Sequence, residues 1–311
     1  MKNLNRFKLI AFIGILVLSL TSCSNNSDSN DNTITGIAKE TPNLSILVQA
    51  LQRADLATTL SGSGPFTVFA PTNEAFQDFL TANGFATLND VPVDVLKQVL
   101  LNHVVSGAVQ SNALSNNSYI KTLAKGSASS TNTLSMFVST TDGVTLNGDA
   151  NVTTPNVIAS NGVIHIVDAV IGLPTIVTLA ASNPNFSTLT GLLSSQNLVP
   201  TLNGTAGSPF TVFAPNNDAF TTFETQNPGT LASLTSAQVT SVLTYHVVGG
   251  ANVLSTGIPT TPITTLESGT FTIAGTTITD EATRQTSIIA TDVQGTNGVI
   301  HVINNVLLPT L

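Results

Sequence analysis

The heptapeptide Pro65-Phe66-Thr67-Val68-Phe69-Ala70-Pro71 recurs letter for letter as Pro209 to Pro215. Asn73-Glu74-Ala75-Phe76 answers Asn217-Asp218-Ala219-Phe220, and Asn161-Gly162-Val163-Ile164-His165 answers Asn297-Gly298-Val299-Ile300-His301. Upstream, Leu47, Leu51, Leu56 and Leu60 match Leu189, Leu193, Leu198 and Leu202. The period is about 140 residues, the size of a domain and several times that of a solenoid repeat. The chain is therefore expected to fold as two similar domains, residues 33–174 and 175–311, after a leader of different character.

Within each repeat the periodicity changes from helical to strand-like. Leu44, Leu47, Val48 and Leu51 fall at i, i+3, i+4 and i+7, the apolar stripe of a helix. Phe66 to Phe69 reads as a short strand stopped by Pro71. Asn73 is placed to cap a helix whose Phe76, Phe79 and Leu80 face a core, and Pro92 to open another. After Val104, short Thr- and Val-rich runs are punctuated by Asn147-Gly148 and Asn161-Gly162, which predict tight hairpins. Helices followed by an antiparallel sheet read as α+β.

Lys2, Arg6 and Lys8 precede an apolar stretch from Leu9 to Leu20, which is too short to span a bilayer. Residues 1–22 read as a secretory signal. They end at Leu20-Thr21-Ser22-Cys23, which resembles a bacterial lipobox and makes Cys23, the only cysteine, the expected lipidation site. Residues 23–32 then serve as lipidated cysteine and flexible tether. This places the protein outside the cytoplasm, lipid-anchored to the bacterial envelope, at the outer membrane or cell surface. Removing 1–22 leaves six basic against seventeen acidic residues, a net charge of −11, with Arg284 the only Lys or Arg after residue 174. Such a chain lacks the basic stripe of a nucleic-acid binder.

Thr67 to Phe76, His103 near a helix end, and Asn161 to Asp168 resemble the two boxes and central histidine of the fasciclin domain. The second copy supplies the same boxes at 211–220 and 297–304, with Tyr245-His246 between them. The resemblance implies a β-wedge or sandwich flanked by helices, in secreted or anchored proteins that mediate adhesion. It makes Phe69, Pro71, Asn73, His103 and His165, with Phe213, Pro215, Asn217 and His301, structural residues of the boxes. In animal members, integrin recognition falls on a Tyr-His pair and an Asp-Ile pair. The matching residues here are Tyr245-His246 and Asp292-Val293 in domain 2, against Asn102-His103 and Asn156-Val157 in domain 1. Candidate binding residues are therefore Tyr245, His246, Asp292 and Val293.

Catalysis finds little support. All four histidines sit in repeat-equivalent places, His103 and His246 on apolar helix faces and His165 and His301 inside strands, where a core imidazole bonded to backbone is the expected state. Asp168 becomes Asn304 in the second copy, so no repeated His-His-carboxylate metal triad forms. There is no Gly-x-Ser-x-Gly elbow and no phosphate-cradling Gly-rich loop. The expectation is a non-enzyme without cofactor or metal, binding a cell-surface or matrix protein or glycan and held at a membrane by its N-terminal lipid. The rival reading is an envelope module for a small ligand or glycan, which a deep apolar pocket with convergent polar groups would favour.

Overall fold

The computed structural model describes residues 31–311, so the expected signal, Cys23 and most of the expected tether lie outside the described residues. These residues form one compact unit. Among them, no helix is long and apolar enough to cross a membrane. Domain 1 contains helices α1 (Ile34–Glu40), α2 (Ser45–Arg53), α3 (Ala57–Leu60), α4 (Asn73–Ala82) and α5 (Val93–Asn102). Its strands are β1 (Phe66–Pro71), β2 (Val104–Ser106), β3 (Ser118–Gly126), β4 (Ser129–Ser139), β5 (Thr145–Leu146), β6 (Ala150–Ala159) and β7 (Gly162–Val167). Domain 2 repeats the order. Its helices are α6 (Ile176–Ala181), α7 (Ser187–Ser195), α8 (Val199–Asn203), α9 (Asn217–Gln226), α10 (Thr230–Ser233) and α11 (Ser236–Tyr245). Its strands are β8 (Phe210–Pro215), β9 (Val247–Val248), β10 (Ile263–Thr264), β11 (Thr270–Ala274), β12 (Thr277–Thr279), β13 (Gln285–Gly295) and β14 (Gly298–Ile303).

In domain 1 the seven strands pair in chain order and close on themselves; in domain 2 the order is β10-β11-β12-β13-β14-β8-β9. The sheets are not wholly antiparallel as expected. β1 runs parallel to β7, and β8 parallel to β14. The two partners of each such pair lie almost a domain apart in sequence, so no hairpin dictates their direction.

Each domain holds two cores, which explains the heptapeptide. In β1, Val68 and Ala70 point to the layer of helices, where they join Leu47, Phe76 and Leu96. Phe69 points the other way, into the strand-lined interior with Met136, Val138 and Leu146. A strand buried on both faces needs apolar residues at successive positions, and Val68-Phe69-Ala70 supplies them. Phe213 and Phe210 divide between the two cores of domain 2 in the same way.

The helix boundaries shift the roles of two asparagines. Thr72, not Asn73, caps α4: its backbone is extended and its hydroxyl accepts from the Ala75 amide. Asn73 is the first helical residue and reaches sideways. Its Oδ1 accepts from the Ile46 amide at 2.9 Å and its Nδ2 donates to Pro42 O at 3.0 Å, fastening the start of α2. Asn217 does the same to Thr188 and Pro184. Pro92 sits one residue before α5 rather than inside it.

Asn147 and Gly148 both take positive φ in a three-residue hairpin between Leu146 and Ala150. The other predicted turn is displaced by one residue. Ala159 pairs with Gly162, so Ser160-Asn161 make the turn and Gly162 opens β7. A Cβ on Gly162 would lie 1.9 Å from Phe66 O, so close approach to β1 excludes any other residue. Buried Asn161 accepts from the Ile34 amide at the start of α1 and donates to Leu60 O and Gly62 O. Asn297 repeats this with Ile176 and Leu202.

The domains meet along β3 and β4 of the first and β13 of the second. Tyr119 packs against the helical core of domain 2, donates to Leu179 O at 2.8 Å and accepts from Asn183 Nδ2. Ser135 Oγ accepts from the buried Gln294 amide at 2.9 Å. Lys121 Nζ donates to Asp292 O at 2.6 Å, and burial lowers its pKa. Ser182 Oγ donates to Asn147 O at 2.6 Å.

Candidate functional site

The four histidines form two pairs of internal fasteners. His103 follows the last turn of α5, with Nε2 2.9 Å from the Ile171 amide and Nδ1 2.7 Å from Val99 O. An amide can only donate, so Nε2 accepts, and Nδ1 carries the proton given to Val99. His246 repeats both bonds, with Leu307 N and Val242 O. Burial lowers both imidazoles to about 4, outweighing the backbone bonds that favour protonation. They are neutral at physiological pH.

The strand histidines use the opposite tautomer. His165 Nδ1 accepts from the Asn156 amide at 3.2 Å and Nε2 donates to Val109 O at 2.9 Å, while the ring stacks on Phe69 at 5.4 Å. His301 does likewise with Asp292 N, Val253 O and Phe213. Both nitrogens of every histidine are engaged by backbone. No lone pair is left for a metal or for taking a substrate proton. Among the described residues, no three His, Cys, Asp or Glu side chains are grouped to hold a metal ion.

The expected recognition residues are mostly inaccessible, which corrects the picture of a Tyr-His face. Tyr245 is 0% exposed. Its ring packs edge-on against Phe271, and its hydroxyl donates to Thr270 O and accepts from the Glu281 amide. Burial raises its pKa to about 12. His246 and Val293 are buried as well. The cause is the helix end: Tyr245 turns into the strand-lined core, while His246 crosses to the segment after β14. Asn102, at the place of Tyr245, is also buried, bonding Gly172 O and Thr122.

Asp292 alone of the four reaches solvent. It occupies a bulge in β13 with φ of 63°, as Asn156 does in β6. Asp and Asn tolerate that left-handed conformation best among non-glycine residues. Asp292 accepts from Ser255 N at 2.8 Å and Ser255 Oγ at 2.5 Å; Asn156 likewise accepts from the Ser111 amide but donates from Nδ2 to Ser111 Oγ. Partial burial opposes ionisation of Asp292, but the two Ser255 bonds outweigh it and lower its pKa.

An open cleft of about 610 Å³ in domain 1 was not foreseen. It lies beside α4 and α5, with apolar walls that include Phe79, Phe85, Val95 and Leu173, and with Asp78, Asp149 and Asp168 around it. The carboxylates come from a helix, a hairpin and a strand end, so spacing in sequence carries no hint of their convergence.

Two domains of helices wrapped on seven strands, each fastened by two box asparagines and two buried histidines, define a fasciclin domain pair. The chain belongs to the fasciclin domain family, whose model matches residues 42–174 and 184–309. An uncharacterized protein of Synechocystis is 36% identical over 143 residues, 44% of this chain and 98% of that protein. Immunogenic protein MPT70 of Mycobacterium tuberculosis is 34% identical over 42% of this chain and 66% of its own length. Human periostin is 28% identical over 82% of this chain, which corresponds to 29% of periostin. Among solved structures, the FAS1 domain pair from the insect cell adhesion molecule fasciclin I superposes with a TM-score of 0.52 at 21% identity. The match covers 86% of this chain and 98% of that one, and it supports the fold alone.

Proposed function

We propose that this chain is a non-catalytic interaction protein, anchored through Cys23 to the bacterial envelope, that attaches to cell-surface or matrix protein or glycan through its fasciclin surfaces. The observation that carries the reading is the use of the histidines. Every imidazole that could serve as base, nucleophile or ligand is committed to holding backbone. A relative described as a cell adhesion molecule shares the domain pair. The domain 1 cleft favours a second reading, an envelope module that takes a small ligand or glycan.

Three experiments test this. Cys23→Ser should abolish metabolic labelling with a clickable fatty acid; undiminished labelling overturns the lipid anchor. Soluble 24–311 should retain cell-surface material that a chain unfolded by denaturant does not. No retention overturns the adhesive role. Asp292→Asn addresses the one accessible candidate residue. It should weaken attachment while the chain still melts cooperatively, because Asn156 fits the equivalent bulge and bonds Ser111 in domain 1. Unchanged attachment removes Asp292 from the contact.

A further inference from the structure

The two copies treat one position oppositely. In domain 2, Arg284 lays its guanidinium over the Phe223 ring, with Cζ 5.2 Å from the centroid. Its Nη2 donates to Asp280 Oδ2 at 2.6 Å and to Val306 O at 3.0 Å, and its Nε to Asp280 Oδ2 at 3.1 Å. A planar cation between an aromatic face, a carboxylate and a carbonyl is a complete guanidinium site.

The repeat register locates the same place in domain 1. Asn73 and Asn217 fasten equivalent helices, so Phe79 matches Phe223. The Ile171 amide bonds His103 as the Leu307 amide bonds His246, so Val170 matches Val306 and Asp168 matches Asn304. Asp168 accepts from the Asn151 amide as Asn304 does from that of Ser287, confirming the alignment. Phe79 and Val170 both line the open cleft.

What differs is the hairpin above it. In domain 2, the paired residues Thr279 and Gln285 bracket a connection, residues 280–284, that carries both Asp280 and Arg284. In domain 1, only Asn147, Gly148 and Asp149 separate the paired Leu146 and Ala150. The short hairpin has no arginine to fold back. Phe223 is fully buried, whereas Phe79 is partly open. The carboxylates remain and increase: Asp149 comes from the hairpin, Asp168 stands where domain 2 has Asn304, and Asp78 where it has Thr222. Ser182 of domain 2 holds the hairpin by its bond to Asn147 O, so the wall is set before any partner arrives.

We propose that the domain 1 cleft receives an arginine side chain presented by a partner protein. The guanidinium lies on the Phe79 ring, and Asp149, Asp168 and Asp78 meet its charge. The aliphatic stem lies along the apolar wall of Phe85, Val95 and Leu173. Lysine fits less well, because an ammonium lacks the plane that stacks on the ring. The chain's net charge of −11 without its leader favours approach of a basic partner. This site rests on the reading of the chain as an interaction protein and moves the contact from domain 2 to domain 1.

The test is a titration of isotope-labelled 24–311 with N-acetyl-arginine N-methylamide, followed by amide chemical shifts. The lysine and citrulline analogues serve as comparisons; citrulline keeps the shape and removes the charge. Saturable shifts are expected at Gly148 to Ala150, Phe79 and Gly172, at least about tenfold weaker with citrulline and weaker with lysine. Asp149→Asn combined with Asp168→Asn should lower the arginine affinity by about tenfold or more. An amide at 168 keeps the bond from the Asn151 amide, as Asn304 keeps that from Ser287, and gives up only the bond from Asn151 Nδ2, so the variant should show the dispersed spectrum of a folded protein. No saturable shift, equal response to citrulline, or shifts spread over the other acidic surfaces overturn the proposal. A chain that retains cell-surface material yet ignores the arginine probe refutes the cleft and leaves the adhesive reading standing.

Discussion

Mild acid should weaken this protein well above the pH at which carboxylates titrate. His103 and His246 have imidazoles lowered from 6.5 to about 4, with burial as the leading cause. In the unfolded chain both regain the ordinary value. Between those limits the unfolded state binds a proton at each site and the native state does not, so stability falls as pH falls. The contribution is fully present above pH 6.5 and is lost progressively down to about pH 4. The gap, at about 1.4 kcal/mol per pH unit, amounts to about 3 kcal/mol for each histidine. Two such losses form a large part of the 5–15 kcal/mol that stabilises ordinary domains. His165 and His301 are lowered in the same direction by burial and add to the slope. Urea unfolding at constant ionic strength, in steps from pH 7 to pH 5, isolates the effect from most carboxylate titration. The expected result is a steady fall of about 1 kcal/mol or more per pH unit below 6.5. A flat profile between pH 6.5 and 5 would refute the argument that these imidazoles are neutral and buried.

Other substitutions follow from the fasteners and the interface. Asn161→Ala strands the Ile34 amide and the carbonyls of Leu60 and Gly62, so it should cost about 3 kcal/mol or more by chemical denaturation. A cost below about 1 kcal/mol would mean that α1 and α3 are held otherwise. Gly162→Ala should prevent domain 1 from folding, because its methyl falls on Phe66 O; a cooperative melt near that of the parent chain would contradict the β1–β7 geometry. Tyr119→Phe removes the hydroxyl shared by Leu179 O and Asn183, and the full chain should lose about 1–2 kcal/mol. If the domains do not pack through this residue, the melting temperature will not move.

The repeat, its register and the alternation of helix and strand could be read from the sequence because they rest on local pattern. Helical spacing at Leu44 to Leu51 and the short apolar run Phe66 to Phe69 mark what must be buried, whatever it is buried against. Asn147-Gly148 declares a turn through backbone freedom alone. The side chains that join distant segments were beyond such reasoning. Asn73 has the composition of a cap, yet it fastens a helix 27 residues earlier, and Thr72 does the capping. Tyr245 looks like a contact residue until the strand pairs around Phe271 enclose it. The cleft is the clearest case. It exists because one hairpin is shorter than its repeat partner, and that difference acquires meaning only when Phe79, Val170 and the three aspartates are brought beneath it by packing. Periodicity specifies what is covered; only the tertiary arrangement decides which polar groups share a site, because their proximity depends on long-range pairing rather than on neighbours in the chain.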